Sequence, residues 1–202
     1  MLLNRIEFKK DFRTFKKGDL ISFYDRLTVI VGDNGTGKST LIGAIRNLFD
    51  NKWTMSHCSS FDNILTNEKN KDIKIGYFDV SLDLHTINPE IDFSNFEVYK
   101  KCRMSSSGEG STLQMKEFLS IHADKSLIII DEPERGLSLK RQKHISGLIK
   151  EHMSENPEQQ IIITTHSETL MDLSLNGELL SLNHNLSYIK KKQYIDFMNT
   201  SD

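Results

Sequence analysis

Residues 27–49, LTVIVGDNGTGKSTLIGAIRNLF, place three kinds of local structure in direct succession. The first part, LTVIV, is apolar and rich in β-branched residues, which favours a fully buried strand. The second part, GDNGTG, contains three glycines and predicts a loop. In the third part, apolar residues recur at helical spacing: Leu41, Ile42, Ile45, Leu48 and Phe49. The stretch therefore predicts a strand, a glycine loop and a helix, in that order.

The same alternation continues further along the chain. Residues 126–134, SLIIIDEPE, and residues 159–166, QQIIITTH, predict buried strands, and residues 139–153 between them predict an amphipathic helix. Buried strands that alternate with helices favour an α/β fold with a mainly parallel sheet flanked by helices. Residues 4–10, NRIEFKK, alternate polar and apolar as a half-buried strand does, and we expect them in an N-terminal antiparallel β subdomain.

The glycine loop fits the phosphate-loop pattern G-x-x-x-x-G-K-[ST], with Gly32, Gly37, Lys38 and Ser39 at the fixed positions. Glycines adopt positive φ without a Cβ clash, so backbone N–H groups can turn towards phosphate oxygens. The following helix adds its unpaired N–H groups and the positive end of its dipole. The alternative interpretation is an accidental glycine turn, which the flanking strand and helix disfavour. The pattern predicts a P-loop NTPase fold.

Each position of the loop has an expected role. Lys38 would contact the β- and γ-phosphates, the Ser39 hydroxyl would bind Mg²⁺, and Thr40 would support the end of the loop. The remaining predicted nucleotide contacts are Asp33, Asn34, Gly35, Thr36 and Gly37. The predicted cofactors are therefore ATP and Mg²⁺.

Two carboxylates end the strand within SLIIIDEPE. Ligands of parallel sheets bind at the carboxyl ends of the strands, which is where Asp131 and Glu132 are expected. We predict that Asp131 binds Mg²⁺ through water and that Glu132 polarises the attacking water. The alternative is an acidic strand exit that caps the next helix. Beside a phosphate loop the catalytic interpretation is favoured, and it predicts an ATPase that converts ATP and water to ADP and phosphate.

Residues 105–114, SSSGEGSTLQ, lead into a helix that is predicted to begin at about Gly110, and they come shortly before the acidic strand end. Together with the phosphate loop, this segment resembles the signature of the ATP-binding-cassette class of ATPases, L-S-G-G-Q, with departures at two positions. The resemblance implies that the segment contacts a γ-phosphate held by a partner subunit through Ser106, Ser107, Gly108 and Glu109. A flexible linker is the alternative interpretation of such small polar residues.

Other segments resemble parts of the same class. Residues 11–15, DFRTF, are similar to an element near the start of RecF and SMC-type ATPases, which implies that Arg13 touches the phosphates. His166 matches the switch histidine that contacts the γ-phosphate; a satisfied structural histidine is the alternative. Residues 134–142 stand where the class has its D-loop, and Tyr24 is a candidate aromatic for stacking on adenine. No glutamine occurs from Leu41 through Met104, where transporter ATPases carry one.

Composition limits the partners. The chain has 26 Lys and Arg against 28 Asp and Glu, so its net charge of -2 gives no general attraction to nucleic acid or acidic membranes. Two cysteines are too few for a disulfide framework or a zinc site. No apolar run approaches the length of a membrane span. These features predict a cytoplasmic location.

The resemblance implies an ATPase head without a coiled-coil arm, built as one domain over residues 1–202. Within it, residues from about 50 to 121 would form a smaller lobe carrying the signature helix. Two subunits would close head to tail around two MgATP as a homodimer, acting as a switch or clamp. We expect work in DNA repair or nucleic-acid-directed defence, with DNA and a nuclease or other effector as candidate partners. The alternative is the ATPase subunit of a membrane transporter, although a membrane partner is less favoured.

Overall fold

A computed structural model describes residues 3–49, 74–79, 107–183 and 185–200, and at residues 107–109 it describes the backbone. The strands are β1 (Arg5–Glu7), β2 (Leu20–Ser22), β3 (Leu27–Val31), β4 (Ile75–Asp79), β5 (Leu127–Asp131), β6 (Gln160–Thr164), β7 (Glu178–Ser181) and β8 (Ser187–Lys190). The helices are α1 (Lys38–Phe49), α2 (Ser107–Ile121), α3 (Leu139–Glu155), α4 (Glu168–Met171) and α5 (Lys191–Thr200), with a 3-10 turn at Leu175–Gly177.

The main sheet is mostly parallel. Within the described ranges its strand order is β4-β5-β6-β3-β7-β8. All neighbours run parallel except β8, which pairs antiparallel with β7. The strands β1 and β2 form a separate antiparallel pair. The α/β fold with a parallel sheet and an N-terminal antiparallel unit is confirmed.

Strand β3 is the centre of the core because all five of its residues are buried. Successive side chains of a strand point to opposite faces, so β3 contributes to two apolar clusters. Ile30 packs with α1 and the N-terminal strands. Val29 and Val31 pack on the other side with residues of α2, α3 and α5. The phosphate loop thus follows a fully buried strand, as β5 and β6 also are.

A tight turn closes the N-terminal segment. Phe12 and Phe15 exchange two backbone hydrogen bonds of 2.9 and 3.0 Å, and Arg13 between them has a φ of 54°. The Phe15 ring stacks on Phe8 with centroids 4.4 Å apart. This stacking fixes the DFRTF turn against the body of the fold.

The helix that carries the signature segment begins earlier than expected. The sequence predicted helix from about Gly110, but α2 starts at Ser107 and therefore includes Gly108 and Glu109. Ser106 and a strand predicted within 88–101 lie outside the described residues. The division into one domain with a smaller lobe stays a prediction. Among the helices that the structure describes, none has the length and apolar character needed to cross a membrane.

Candidate active site

The phosphate loop depends on glycine at two positions of positive φ, 85° at Gly35 and 105° at Gly37. A Cβ on Gly37 would lie 2.3 Å from Thr14 Oγ1 and 3.0 Å from Phe15 Cε2. No side chain fits there, because the DFRTF turn lies directly against the loop. The apex of the loop at Asn34 and Gly35 is exposed, as is Ser39, so these groups are accessible to a ligand.

The Lys38 ammonium is folded onto its own loop. Its Nζ donates hydrogen bonds to the carbonyls of Gly32 at 2.9 Å and Asp33 at 3.3 Å. It also lies 3.5 Å from Glu132 Oε1. With only 5% of Lys38 exposed, burial lowers the pKa of its ammonium. The charge is stabilised by oxygen atoms that phosphate oxygens can replace.

The carboxylate of Glu132 lies close to nitrogen atoms of three side chains. Its carboxylate lies 2.7 Å from Arg135 Nη2, 3.5 Å from Lys38 Nζ and 3.2 Å from His166 Nε2. Burial raises the pKa of Glu132, but the hydrogen bond from Arg135 and the nearby positive charges outweigh burial and lower it overall. Its backbone has a φ of 43°, and its N–H donates to Thr164 O and Oγ1, both at 3.1 Å. The carboxylate is therefore held ionised in a strained backbone position, as functional sites often show.

Asp131 lies deeper at the end of β5, with 9% exposure. The Thr164 hydroxyl donates a hydrogen bond to its Oδ1, and the Tyr77 hydroxyl lies 3.4 Å from its Oδ2. Burial raises the pKa of Asp131. Beside it in register stands Asp79, whose Oδ2 accepts a 3.2 Å hydrogen bond from the same Tyr77. Tyr77 thus bridges two carboxylates at the carboxyl edge of the sheet.

The donor atoms suit Mg²⁺, which prefers oxygen ligands and retains several waters. Asp131 supplies a carboxylate and Ser39 a hydroxyl. No group of three or more His, Cys, Asp or Glu that could hold a metal occurs in the described part of the chain. In nucleotide sites, phosphate oxygens complete the Mg²⁺ shell.

A model of the AAA ATPase domain family matches residues 1–119, more than half of the chain. The chain belongs to this family. A second model, described as "AAA domain, putative AbiEii toxin, Type IV TA system", matches residues 106–172. The chain is thus an ATPase of the ABC- and SMC-like P-loop class.

A curated relative of this AAA ATPase is a "Probable peptide export ATP-binding protein YydI" from Bacillus subtilis. The two are 28% identical over 167 residues, which cover 79% of this chain and 78% of the relative. The SMC head domain from Thermotoga maritima is similar in structure, with TM-score 0.59, 19% identity, and 90% and 94% of the two chains covered. A dimeric ATP-binding cassette bound to ADP and phosphate has TM-score 0.52 and 18% identity, covering 89% and 92%. Because both structures are less than 20% identical to this chain in sequence, their similarity shows a shared fold.

Three further residues of the ATPase that the sequence predicted at the nucleotide make hydrogen bonds around the phosphate loop and the ends of β5 and β6. Arg13 Nη1 donates a 3.3 Å hydrogen bond to the Thr40 hydroxyl, which puts its guanidinium beside the first turn of α1. The Thr36 hydroxyl donates to Asp33 O at 2.8 Å within the loop. His166 donates its backbone N–H to Glu134 Oε1 at 2.6 Å, so the D-loop segment and the end of β6 are tied together. Their contacts with nucleotide stay predictions.

Tyr24, the candidate aromatic for adenine, lies near the start of β3, whereas the phosphate loop follows the end of that strand. Its N–H donates to the Thr28 hydroxyl. The Tyr24 ring packs on Tyr188 with centroids 4.4 Å apart, and its hydroxyl donates to Glu178. Stacking of Tyr24 on adenine stays a prediction.

Several residues at the site of this AAA ATPase were missed by sequence reasoning. They include Asn183, whose side chain hydrogen-bonds Asp33, and Tyr77, Asp79 and Arg135 around the carboxylates. The strand pattern of residues 75–79 was a signal for Tyr77 and Asp79, since a strand beside β5 ends at the same edge. Nothing local in the sequence marks Asn183.

Proposed function

We propose that this ATPase is a switch that closes around two MgATP as a head-to-tail homodimer and opens after hydrolysis. The observation that carries the proposal is the convergence of three side chains beside the phosphate loop. Glu132 Oε1 lies 3.5 Å from Lys38 Nζ and 3.2 Å from His166 Nε2. A carboxylate placed between the phosphate-binding cation and a histidine can orient a water towards the γ-phosphate.

Each side chain has a distinct task in this proposal. Lys38 leaves the loop carbonyls and contacts the β- and γ-phosphates, which frees Glu132 to accept a proton from the attacking water. His166 donates a hydrogen bond towards the γ-phosphate. Ser39 directly and Asp131 through water would hold Mg²⁺, which when bound would neutralise charge on the phosphates. Thr40 supports the far end of the loop, and Arg13, which is hydrogen-bonded to Thr40, contacts the phosphates.

The second half of each site would come from the partner subunit. Ser106, Ser107, Gly108 and Glu109 are the proposed contacts to the partner's γ-phosphate. The start of α2 at Ser107 supports this role, because the first turn of a helix has N–H groups that can bind an anion. The likeness to a cassette described as dimeric also supports it.

For the cellular role, the curated relative favours an ATPase subunit of a membrane exporter. A DNA contact would use the basic N-terminal segment, in which Lys9 and Lys16 form ion pairs; its lysines are Lys9, Lys10, Lys16 and Lys17. Lys9 Nζ lies 2.7 Å from Glu7 Oε2, and Lys16 Nζ lies 4.0 Å from Asp11 Oδ2. These carboxylates reduce the positive charge available to a phosphate backbone.

A role in nucleic-acid-directed defence is the second candidate, with DNA, a nuclease or another effector as partner. The match of residues 106–172 to a model described with a toxin of a type IV toxin–antitoxin system favours it. The two roles differ in what should activate the enzyme. Turnover stimulated by duplex DNA supports defence, whereas co-purification with a membrane protein supports export.

Light scattering of Glu132→Gln protein tests the switch. We expect monomers without nucleotide and dimers with MgATP, because the variant binds but does not hydrolyse. Adding Ser106→Arg should abolish the dimer while nucleotide binding persists. A Glu132→Gln protein that binds MgATP and stays monomeric would contradict the dimer; an unchanged dimer with Ser106→Arg would contradict the signature contact.

A further inference from the structure

Asn183, just after β7, holds the backbone and the side chain of Asp33 at once. The Asp33 N–H donates to Asn183 Oδ1 at 3.0 Å, and Asn183 Nδ2 donates to Asp33 Oδ2 at 2.6 Å. These two residues are 150 positions apart in the chain. A pair of hydrogen bonds between the same two residues fixes orientation as well as distance.

The orientation of Asp33 matters because its carbonyl is also engaged. It accepts hydrogen bonds from Thr36 Oγ1 at 2.8 Å and from Lys38 Nζ at 3.3 Å. Turning the peptide that precedes or follows Asp33 would therefore displace both the loop apex and the lysine. Asn183 controls the residue on which the geometry of the loop depends.

The C-terminal segment approaches the start of the loop closely at a second point. A Cβ on Gly32 would lie 3.2 Å from both Asn183 Oδ1 and Leu182 Cβ. Tyr194 of α5 is 2% exposed and belongs to the same buried apolar cluster as Val31, the residue before Gly32. The last part of the chain thus lies against the start of the loop, and Asn183 makes its hydrogen bonds to Asp33.

We propose that Asn183 is a positioning residue for nucleotide binding, and that it couples the C-terminal unit β7–β8–α5 to occupancy of the phosphate loop. Asn183 does not need to touch the nucleotide. It holds Asp33 so that the loop's N–H groups and Lys38 are placed for phosphates. Because coupling between two sites is reciprocal, nucleotide binding should in turn stabilise this C-terminal unit.

Exchanging the two partners tests the Asn183 pair. Asn183→Asp removes the donor and sets two carboxylates against each other, so we expect ATP affinity to fall about tenfold. Asp33→Asn retains an acceptor oxygen and should cost less than about threefold. The double variant Asp33→Asn with Asn183→Asp restores one donor and one carboxylate, and its affinity should return to within about threefold of wild type.

The matched control is Asn156→Asp, which lies before β6, outside the unit β7–β8–α5. It makes the same substitution and loses a 3.0 Å hydrogen bond to His152 O. This control should not alter ATP affinity.

The readouts are the dissociation constant for MgATP by titration and the melting temperature of each variant. The inference rests on nucleotide binding within the proposed function but not on dimer formation. Wild-type protein that binds no ATP would refute the nucleotide role itself. If wild-type protein binds ATP, two results would overturn only the positioning role. One is additive effects of the Asp33 and Asn183 substitutions, with no rescue in the double variant; the other is unchanged ATP affinity in Asn183→Asp.

Discussion

The Lys38 ammonium lies 3.5 Å from the Glu132 carboxylate, so the cation of the phosphate loop and the acid that ends β5 form one charged pair. Lys38 follows β3 and Glu132 follows β5, and these two strands lie on either side of β6 in the sheet. A substitution of either residue therefore changes the position of the other side chain. ATP binding and ATP turnover should be measured separately for each variant.

Lys38→Met should weaken MgATP binding by about a hundredfold and abolish measurable hydrolysis, because a charge-assisted contact to phosphate is lost. Isothermal titration and phosphate release measure the two effects. Lys150→Met, a change at an exposed position of α3, is the matched control and should leave both unchanged. Binding retained at wild-type strength in Lys38→Met would contradict the assigned phosphate contact.

Arg135 donates a 2.7 Å hydrogen bond to Glu132 Oε2 and so occupies one oxygen of the proposed general base. Arg135→Gln should raise basal turnover about three- to tenfold, since the carboxylate becomes available to water and more basic. Steady-state rates at saturating MgATP measure this. Arg26→Gln removes an arginine bonded to Met153 O instead, and its rate should equal that of wild type. A fall in the rate of Arg135→Gln would show that Arg135 assists rather than restrains hydrolysis.

Asp79 adds a negative charge beside Asp131, and Tyr77 bridges the two carboxylates. Asp79→Asn should raise the Mg²⁺ concentration for half-maximal turnover about three- to tenfold, because the attraction for a divalent cation decreases. Binding of Mn²⁺ followed by electron paramagnetic resonance gives an independent measure. The control is Asp172→Asn, an exposed carboxylate paired with Lys191. Equal metal affinity in Asp79→Asn and wild type would exclude this electrostatic role.

His122 covers Gly76 of β4 and packs on Phe118 with ring centroids 4.4 Å apart. Burial lowers the pKa of His122, so the folded state binds its proton less readily than the unfolded state. The free energy of unfolding should therefore be unaffected by His122 above pH 6.5, the ordinary pKa of histidine, and should decrease as pH falls below that value. We expect the melting temperature to drop between pH 7.5 and 5.5 by less in His122→Gln than in wild type. Identical drops would assign the acid sensitivity to other groups.

The sheet and the phosphate loop could be predicted from the sequence because their signals lie in consecutive residues. The run LTVIV is uniformly apolar, and β3 is buried at every position. Glycines at 35 and 37 are needed because their φ angles are positive, which is a property of the loop itself. The start of α2 was predicted too late, because Ser107 and Gly108 carry little helical pattern.

The sequence by itself determined the parallel sheet, the phosphate loop and the acidic strand end, since apolar periodicity and glycine spacing are written in consecutive residues. Tertiary structure alone decided which distant groups meet at the loop. Asn183 reaches Asp33 across 150 positions only because β7 pairs with β3, and Asp79 meets Asp131 only because β4 pairs in register with β5. Such contacts depend on strand order, and strand order is set by packing of the whole sheet, which no local pattern encodes.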